Sequence, residues 1–340
     1  MADLEIRSID PFDVGAFNAW HATYFVAESF GRSGAQSPWQ LEELRVFHQA
    51  DHPNLRTVAL AGVVDGVVVT AGEVKLPLLD NTDHAEIGVW THPDHHRRGY
   101  GSAMLARIEQ LSAEEGRTVL DAEACYPYDA PADGAGHPNA DFLVGRGFRY
   151  GLGDVNRRLD LPVSEELLAE LAEKAAPNHA AYTLRSFVAP VPDDLAVAFA
   201  ALSASLMTEA PLGELEREPE NPDVAVMRVG EETLARQGRT KYTTVAIAED
   251  GQLAGFTDLI MSEHDPGRVF QWGTLVPRAH RGHRLGLALK VANLAFLQGL
   301  RPDARLVTTY NAEVNDHMIG VNEQLGFRPV ERLGEFQKRL

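Results

Sequence analysis

The chain has 340 residues, 44% hydrophobic and 24% charged, the composition of a folded globular protein with room for roughly two domains. Its 49 acidic and 31 basic residues leave a net charge of −18, a field that repels nucleic-acid phosphates and suits either a cationic substrate or plain solubility. No apolar run approaches the ~20 residues of a membrane helix, since Val63–Val74 is broken by Asp65, Gly66 and Glu73. One cysteine, Cys125, excludes an intrachain disulfide. The opening Met1–Glu5 has neither the basic nor the apolar part of a leader, so a cytoplasmic protein without membrane or nucleic-acid partners is expected.

In chain order, a short strand is predicted at Leu4–Arg7, then helices at Phe12–Phe30 and Trp39–His48. Asp65-Gly66 between Thr57–Leu60 and Val67–Val69 reads as a hairpin, because Asp-Gly between apolar runs favours a tight turn. A strand at Ala85–Trp90 leads to the basic loop His95-His96-Arg97-Arg98-Gly99-Tyr100-Gly101. A helix carrying Met104, Leu105, Ile108 and Leu111 follows, with Gly116 at its C-terminal cap. A strand at Arg117–Ala122, a Pro/Gly/Asp-rich stretch from Pro127 to Pro138 and Gly147-Phe148 complete this part.

The same order then returns. A helix over Ser164–Ala176, capped by Ser164 and stopped by Pro177, separates the copies. The second copy opens at Tyr182–Arg185, with helices at Asp193–Met207 and Val224–Gln237. Its hairpin turns at Asp250-Gly251, and its later strand is Val269–Val276. The loop His280-Arg281-Gly282-His283-Arg284-Leu285-Gly286 opens a helix ending at Gly299; a strand at Arg305–Tyr310 and Gly326-Phe327 close the copy. Thirty-five residues separate Gly66 from Gly101, and 35 separate Gly251 from Gly286. Equal spacing of unlike elements indicates two copies of one domain. The expected division is 1–160, a helical linker 161–181, and 182–340.

A strand, a basic glycine loop and a helix start can hold a phosphate. The first helical turn leaves N–H groups unpaired, the helix dipole adds partial positive charge, and glycine lets the backbone approach. Arg97, Arg98, Arg281 and Arg284 add full charges; solvated arginines at a turn are the alternative. The last glycine of the dinucleotide fingerprint is missing after Gly99 and Gly101, and no phosphate-loop lysine motif occurs. His92, His95 and His96 invite a metal reading, but Arg97 and Arg98 oppose a cation, so no metal is expected.

The two loops resemble the Arg/Gln-x-x-Gly-x-Gly/Ala loop of the GNAT acyltransferases, and Asn311–Met318 with Asn322–Phe327 resembles that family's late strand–helix element. The layout is similar to tandem GNAT proteins of the mycothiol synthase type. The resemblance implies an α/β fold, a mixed α+β sheet with flanking helices, in two acyl-CoA N-acyltransferase domains. It implies acetyl-CoA as cosubstrate, a small-molecule amine as acceptor and direct attack in a ternary complex. A non-catalytic acyl-CoA-binding module or a protein acetyltransferase are the alternatives, with a monomer or homodimer expected.

On that resemblance the cosubstrate would contact Leu275, Val276, Arg281, Gly282, His283, Arg284, Leu285, Gly286, Leu287, Asn311 and Asn315 in the second copy. In the first it would contact His96, Arg97, Arg98, Gly99, Tyr100 and Gly101. A capping role is the alternative for Asn311 and Asn315. Two departures stand out: Arg284 replaces a loop glycine, and Leu143 and Asn322 replace the family's proton-donating tyrosine. Candidate catalytic residues are Glu86 on the strand before the first loop, Glu209 and Glu214 in the acidic segment Met207–Glu218, Tyr310 as proton donor and Asn322 as hydrogen-bond donor. The second copy is expected to be catalytic, and the first degenerate.

Overall fold

The computed structural model describes residues 3–32, 34–209 and 211–340; Met1, Ala2, Ser33 and Ala210 (in the acidic segment above) lie outside them. The chain forms two units. One comprises residues Met1–Gly153, Glu214–Arg217 and Arg332–Leu340, the other Asp154–Gly213 and Glu218–Glu331. A single cut near residue 160 does not describe them, because each unit takes residues from both halves of the sequence.

The first unit begins with β1 (Glu5–Ile9), α1 (Val14–Ser29) and α2 (Leu41–Gln49). It continues through β2 (Leu55–Val64), β3 (Val67–Pro77), β4 (His84–Thr91), α3 (Tyr100–Glu114), β5 (Val119–Pro127), α4 (Pro138–Val144) and the start of β6 (Arg149–Asp160). Asp65 and Gly66 both take left-handed backbone, φ 50° and 80°, as a two-residue hairpin turn requires. Strands β1 to β4 pair antiparallel in sequence order. One sheet face buries Leu60, Val74, Leu76, Leu120 and Ala122 against Met104, Leu105 and Ile108 of α3. On the other face Phe17, Trp20 and Tyr24 of α1 and Leu44 of α2 cover Ala59, Ala61 and Ala71. Alternating side chains in each strand supply both cores.

The second unit takes the end of β6, then α5 (Glu165–Ala175), β7 (Tyr182–Val188), α6 (Ala196–Ala204), α7 (Leu206–Glu209) and α8 (Val224–Arg236). It continues through β8 (Arg239–Ala248), β9 (Leu253–Ser262), β10 (Arg268–Leu275), α9 (Leu285–Leu300), β11 (Leu306–Ala312), α10 (Asp316–Leu325) and the start of β12 (Arg328–Arg339). Ser164 caps α5 by accepting from the Leu167 N–H at 3.2 Å, and Leu168 and Leu171 pack with Leu287, Val291 and Leu294 of α9. Helix α9 passes through Gly299 to Leu300, so that glycine does not end it. The expected helix 193–207 is broken into α6 and α7 at Ser205, which caps α6.

Both units part their strands at the same place. In the first unit β4 and β5 pair in parallel only over His84–Ile87 and Val119–Ala122, although β4 runs on to Thr91 and β5 to Pro127. In the second, β10 and β11 pair only over Arg268–Gln271 and Leu306–Thr309, and both continue past that point. Each pair of strands stops sharing hydrogen bonds just before its basic loop, which leaves an opening between them. The second unit adds a bulge: Gln271 faces Leu259 but Thr274 faces Thr257, so Trp272 and Gly273 oppose one residue of β9. The pairing of β3 with β4 is regular throughout.

Candidate functional site

Each basic loop places left-handed backbone two residues apart at the start of a helix. In the first loop these are Arg97 (φ 61°) and Gly99 (φ 86°, N-cap of α3). In the second they are Gly282 (φ 88°) and Arg284 (φ 51°, N-cap of α9). The backbone path is shared while glycine and arginine have exchanged places. Nothing lies within 4 Å of where a Cβ on Gly99 or Gly282 would stand, so both loops leave space against their backbone. That space, beside the unpaired N–H groups of a helix's first turn, fits a pyrophosphate.

The loops differ in charge. Among the described residues Arg97 and Arg98 form no ion pair; Arg98 approaches only His95, at 3.5 Å. His96 donates to the Thr91 carbonyl at 2.9 Å and fixes the loop's entry. In the second loop Arg281 folds back, donating to the Val276 carbonyl at 3.0 Å and to the Glu209 carboxylate at 2.8 Å, with Arg278 also 3.5 Å from Glu209. One carboxylate therefore already holds Arg281 and its neighbour Arg278, while among the described residues Arg284 forms no ion pair. His283 contacts the Asn178 carbonyl at 3.2 Å.

Carboxylates line the face of the first unit that α1 and α2 partly cover. Glu73 and Lys75 on β3, Glu86, Gly88 and Trp90 on β4, and Asp121 and Glu123 on β5 share that face by register and alternation. Gly88 is required there. The Trp90 ring lies across it, and a Cβ would sit 2.0 Å from that ring. The Trp90 indole N–H donates to Glu28 at 2.9 Å. His48 of α2 donates to Glu73 at 2.8 Å, and Lys75 lies 3.6 Å from it. Burial pushes the Glu73 carboxyl up, but Lys75 and His48 outweigh burial and hold it at about 2.

Glu123 lies one residue beyond the last β4–β5 pair, where the strands part. It keeps solvent access, and no described residue donates a hydrogen bond to it. Desolvation, reinforced by the negative charges of Glu335, Glu86 and Glu28 against the opposing pull of Lys75, raises its carboxyl to about 7. A group that titrates near neutrality can take and return a proton.

The corresponding place in the second unit carries different chemistry. Phe270 pairs with Thr308 as Glu86 pairs with Asp121, so Tyr310 stands where Glu123 stands. The Tyr310 hydroxyl accepts from Asn156 at 3.2 Å. Lys241 lies 4.0 Å from Asp258, and the Arg239 guanidinium lies 5.7 Å from the Phe270 ring and 5.5 Å from that of Trp272. Gln271 is buried and donates to the Asp258 carbonyl at 2.6 Å. This face is aromatic and cationic where the first is acidic.

The remaining expected residues fall as follows. Glu209 and Glu214 are not brought together: Glu209 is held by Arg281, while Glu214 belongs to the first unit and donates its N–H to Gly151 at 3.0 Å. Glu86 is exposed and lies opposite Lys75 on the ladder, before the strands part. Asn322 is fully buried and donates to Asn311 at 2.5 Å, so it faces a neighbour rather than the opening. Asn315 caps α10 by accepting from the Met318 N–H at 3.2 Å. Leu275, Leu285 and Leu287 are buried core residues. Leu143 is buried in the first unit's core. Tyr100 and Gly101 form the first turn of α3, and Gly286 that of α9. Among the described residues no group of three potential metal ligands occurs. Glu123 was missed because the expected strand stopped at Ala122, although Asp121 and Glu123 alternate with Leu120, Ala122 and Ala124.

Comparisons with known proteins agree with this architecture. Residues 16–134 match the family model for the acetyltransferase (GNAT) family. A tandem GNAT protein from the clavulanic acid biosynthesis pathway, solved without acetyl-CoA, is 26% identical with a TM-score of 0.79, covering 99% of this chain and 98% of that one. A GCN5-related N-acetyltransferase from Sphaerobacter thermophilus is 16% identical with a TM-score of 0.66, covering 99% and 95%, a likeness of fold. A search of curated proteins finds no match.

Proposed function

We infer, for a GNAT-type acetyltransferase with a family domain over residues 16–134 and a tandem GNAT fold along the whole chain, that the first unit carries the reaction. The reaction is acetyl transfer from acetyl-CoA to the amine of a small cationic molecule, by direct attack with both substrates bound. Its carrying observation is Glu123: a carboxylate in the strand opening, without a hydrogen-bond donor among the described residues, on the same unit as a basic loop whose arginines form no ion pair.

In this reading the N–H groups at the start of α3, with Arg97 and Arg98, bind the pyrophosphate of acetyl-CoA. The acetyl group supplies an electrophilic thioester carbonyl. Glu28, Glu86 and Glu123 attract an ammonium; Glu123 takes its proton, and the free amine attacks. The C–N bond forms as the C–S bond breaks; the attacking nitrogen then gives up its second proton, which passes through water to the leaving thiolate, since Leu143 has none to give. In the second unit Tyr310 stands where the first has Glu123, and Glu209 holds Arg281 of its loop, which supports a binding or structural role there.

The test is release of free thiol from acetyl-CoA with a panel of mono- and diamines. Wild type turns over at least one amine, with a rate that rises as pH passes through about 7, because the base works only when deprotonated. Glu123→Gln loses that turnover while still binding acetyl-CoA. Full activity in Glu123→Gln would contradict the assignment.

A further inference from the structure

The first unit contains two pieces from the second half of the sequence, Glu214–Arg217 and Arg332–Leu340. Both are firmly fixed. Leu215 is buried against Gly151, where an added Cβ would lie 2.4 Å from the leucine side chain. The Glu214 N–H donates to the Gly151 carbonyl at 3.0 Å. The Glu216 N–H donates to Gln337 at 3.1 Å, and Gln337 donates back to the Glu216 carbonyl at 3.1 Å. Gln337 also donates to Asp121 at 2.8 Å, and Arg339 pairs with Glu216. Phe336 is buried in the same core as Tyr126 and Phe148, so alternation sends Glu335 and Gln337 to the opposite, polar face.

This arrangement fixes one ion pair. Arg217 donates to Glu335 at 3.0 Å, and the two side chains are only 24% and 18% exposed. Strand β12 runs antiparallel beside β5, with the Leu340 N–H donating to the Thr118 carbonyl at 2.9 Å and Gln337 to Asp121, which sets Glu335 opposite Glu123, and its negative charge pushes that carboxyl up. The charged groups facing Glu123 are Glu335 from β12, Lys75 from β3, Glu86 from β4 and Glu28 from α1. Lys75 is already held by Glu73, 3.6 Å away. Arg217 therefore offsets the acidic neighbour that matters most.

We propose that Arg217 and Glu335 form a positioning pair, supplied by the second half of the chain, that sets the electrostatic field in which Glu123 works. The pair touches neither substrate nor the reacting atoms; it acts through its charge on Glu123. The inference rests on the reading of Glu123 as the base, and it explains why the first sequence half would not form a complete site alone.

The test follows Glu123 itself. In full-length protein labelled with carbon-13 at glutamate carboxyls, the resonance lost in Glu123→Gln identifies the group. Its titration midpoint near 7 is expected to rise by about half a pH unit or more in Arg217→Met and to fall by a similar amount in Glu335→Gln. Arg217→Lys, which keeps the charge, should restore most of the wild-type midpoint. Removing Arg217 in the Glu335→Gln background should again raise it, because the arginine's charge acts on Glu123 with or without its partner. The acid limb of the thiol-release profile should shift in the same direction. If Arg217→Met fails to fold, Glu335→Gln and Arg217→Lys decide. An unmoved midpoint in folded Glu335→Gln and Arg217→Met overturns the pair's role. Retained turnover in Glu123→Gln would instead overturn the assignment of the base.

Discussion

The two units reach the same backbone with opposite side-chain chemistry. Both part a parallel strand pair ahead of a basic loop, and both start a helix from left-handed backbone. Around its opening the first unit gathers Glu28, Glu86, Glu123 and Glu335, while the second presents Tyr310, Trp272, Arg239 and Lys241. The loops reverse this contrast in availability. Arg97 and Arg98 are unengaged beside the acidic face, whereas Arg281 is held by Glu209. A duplicated fold thus preserves the backbone of an opening without preserving its side chains, because the backbone comes from strand pairing and the chemistry from a few side chains pointing off one face.

The largest expected effect separates the two openings directly. Glu123→Gln should lower kcat/KM about 10²–10⁴-fold, the range for loss of a general base, whereas Tyr310→Phe should leave thiol release within about 2-fold. An equal loss in both variants would mean that catalysis is not confined to the first unit.

Next come the loops. Removing Arg97 and Arg98 together, as alanines, should weaken acetyl-CoA about 10- to 100-fold by calorimetry, in line with ~1.5–3 kcal/mol for hydrogen bonds to charged groups. Arg281→Ala should change the same affinity little, because Glu209 already occupies that guanidinium. Glu209→Gln sharpens the comparison: freeing Arg281 should strengthen or reveal a second, weaker binding event.

Lys290 gives a stability contrast. It is fully buried on α9, five residues after Leu285, while the equivalent step on α3 is Leu105. Desolvation alone pushes its amine down to about 7. The folded state therefore binds this proton less well than the unfolded state, so stability is lost as pH falls from about 10.5 to 7 and no further below. Lys290→Leu should stabilise by about 2 kcal/mol at pH 7, and the gain should disappear above pH 10.5 in urea titrations. The smallest expected effect is at the N-caps. Arg284→Gly should stabilise by about 1 kcal/mol by relieving left-handed backbone, and Gly99→Ala should destabilise by a similar amount.

Much of this was legible in the sequence. The Asp-Gly hairpins, the two basic loops and their equal spacing placed both sheets and both helix starts. Ser164 and the leucines after it marked α5. The exchange of residues between units was not legible, because Glu214–Arg217 is only a short acidic stretch until Gly151 and Gln337 are seen against it. The role of Glu209 was hidden for the same reason: its partner Arg281 lies 72 residues away. Glu123 was within reach, since the alternation of Asp121 and Glu123 with buried neighbours extends the strand past Ala122. Its raised carboxyl was not, because that comes first from desolvation in the folded chain and then from Glu335 at the other end of the sequence.

The most direct test of the first unit's role needs no knowledge of the acceptor. Amide hydrogen exchange, measured with and without acetyl-CoA, reports which helix start binds the pyrophosphate. The account predicts protection over residues 97–104, at the start of α3, with residues 282–289 changing little. Protection confined to 282–289 would contradict it and return the binding site to the second unit.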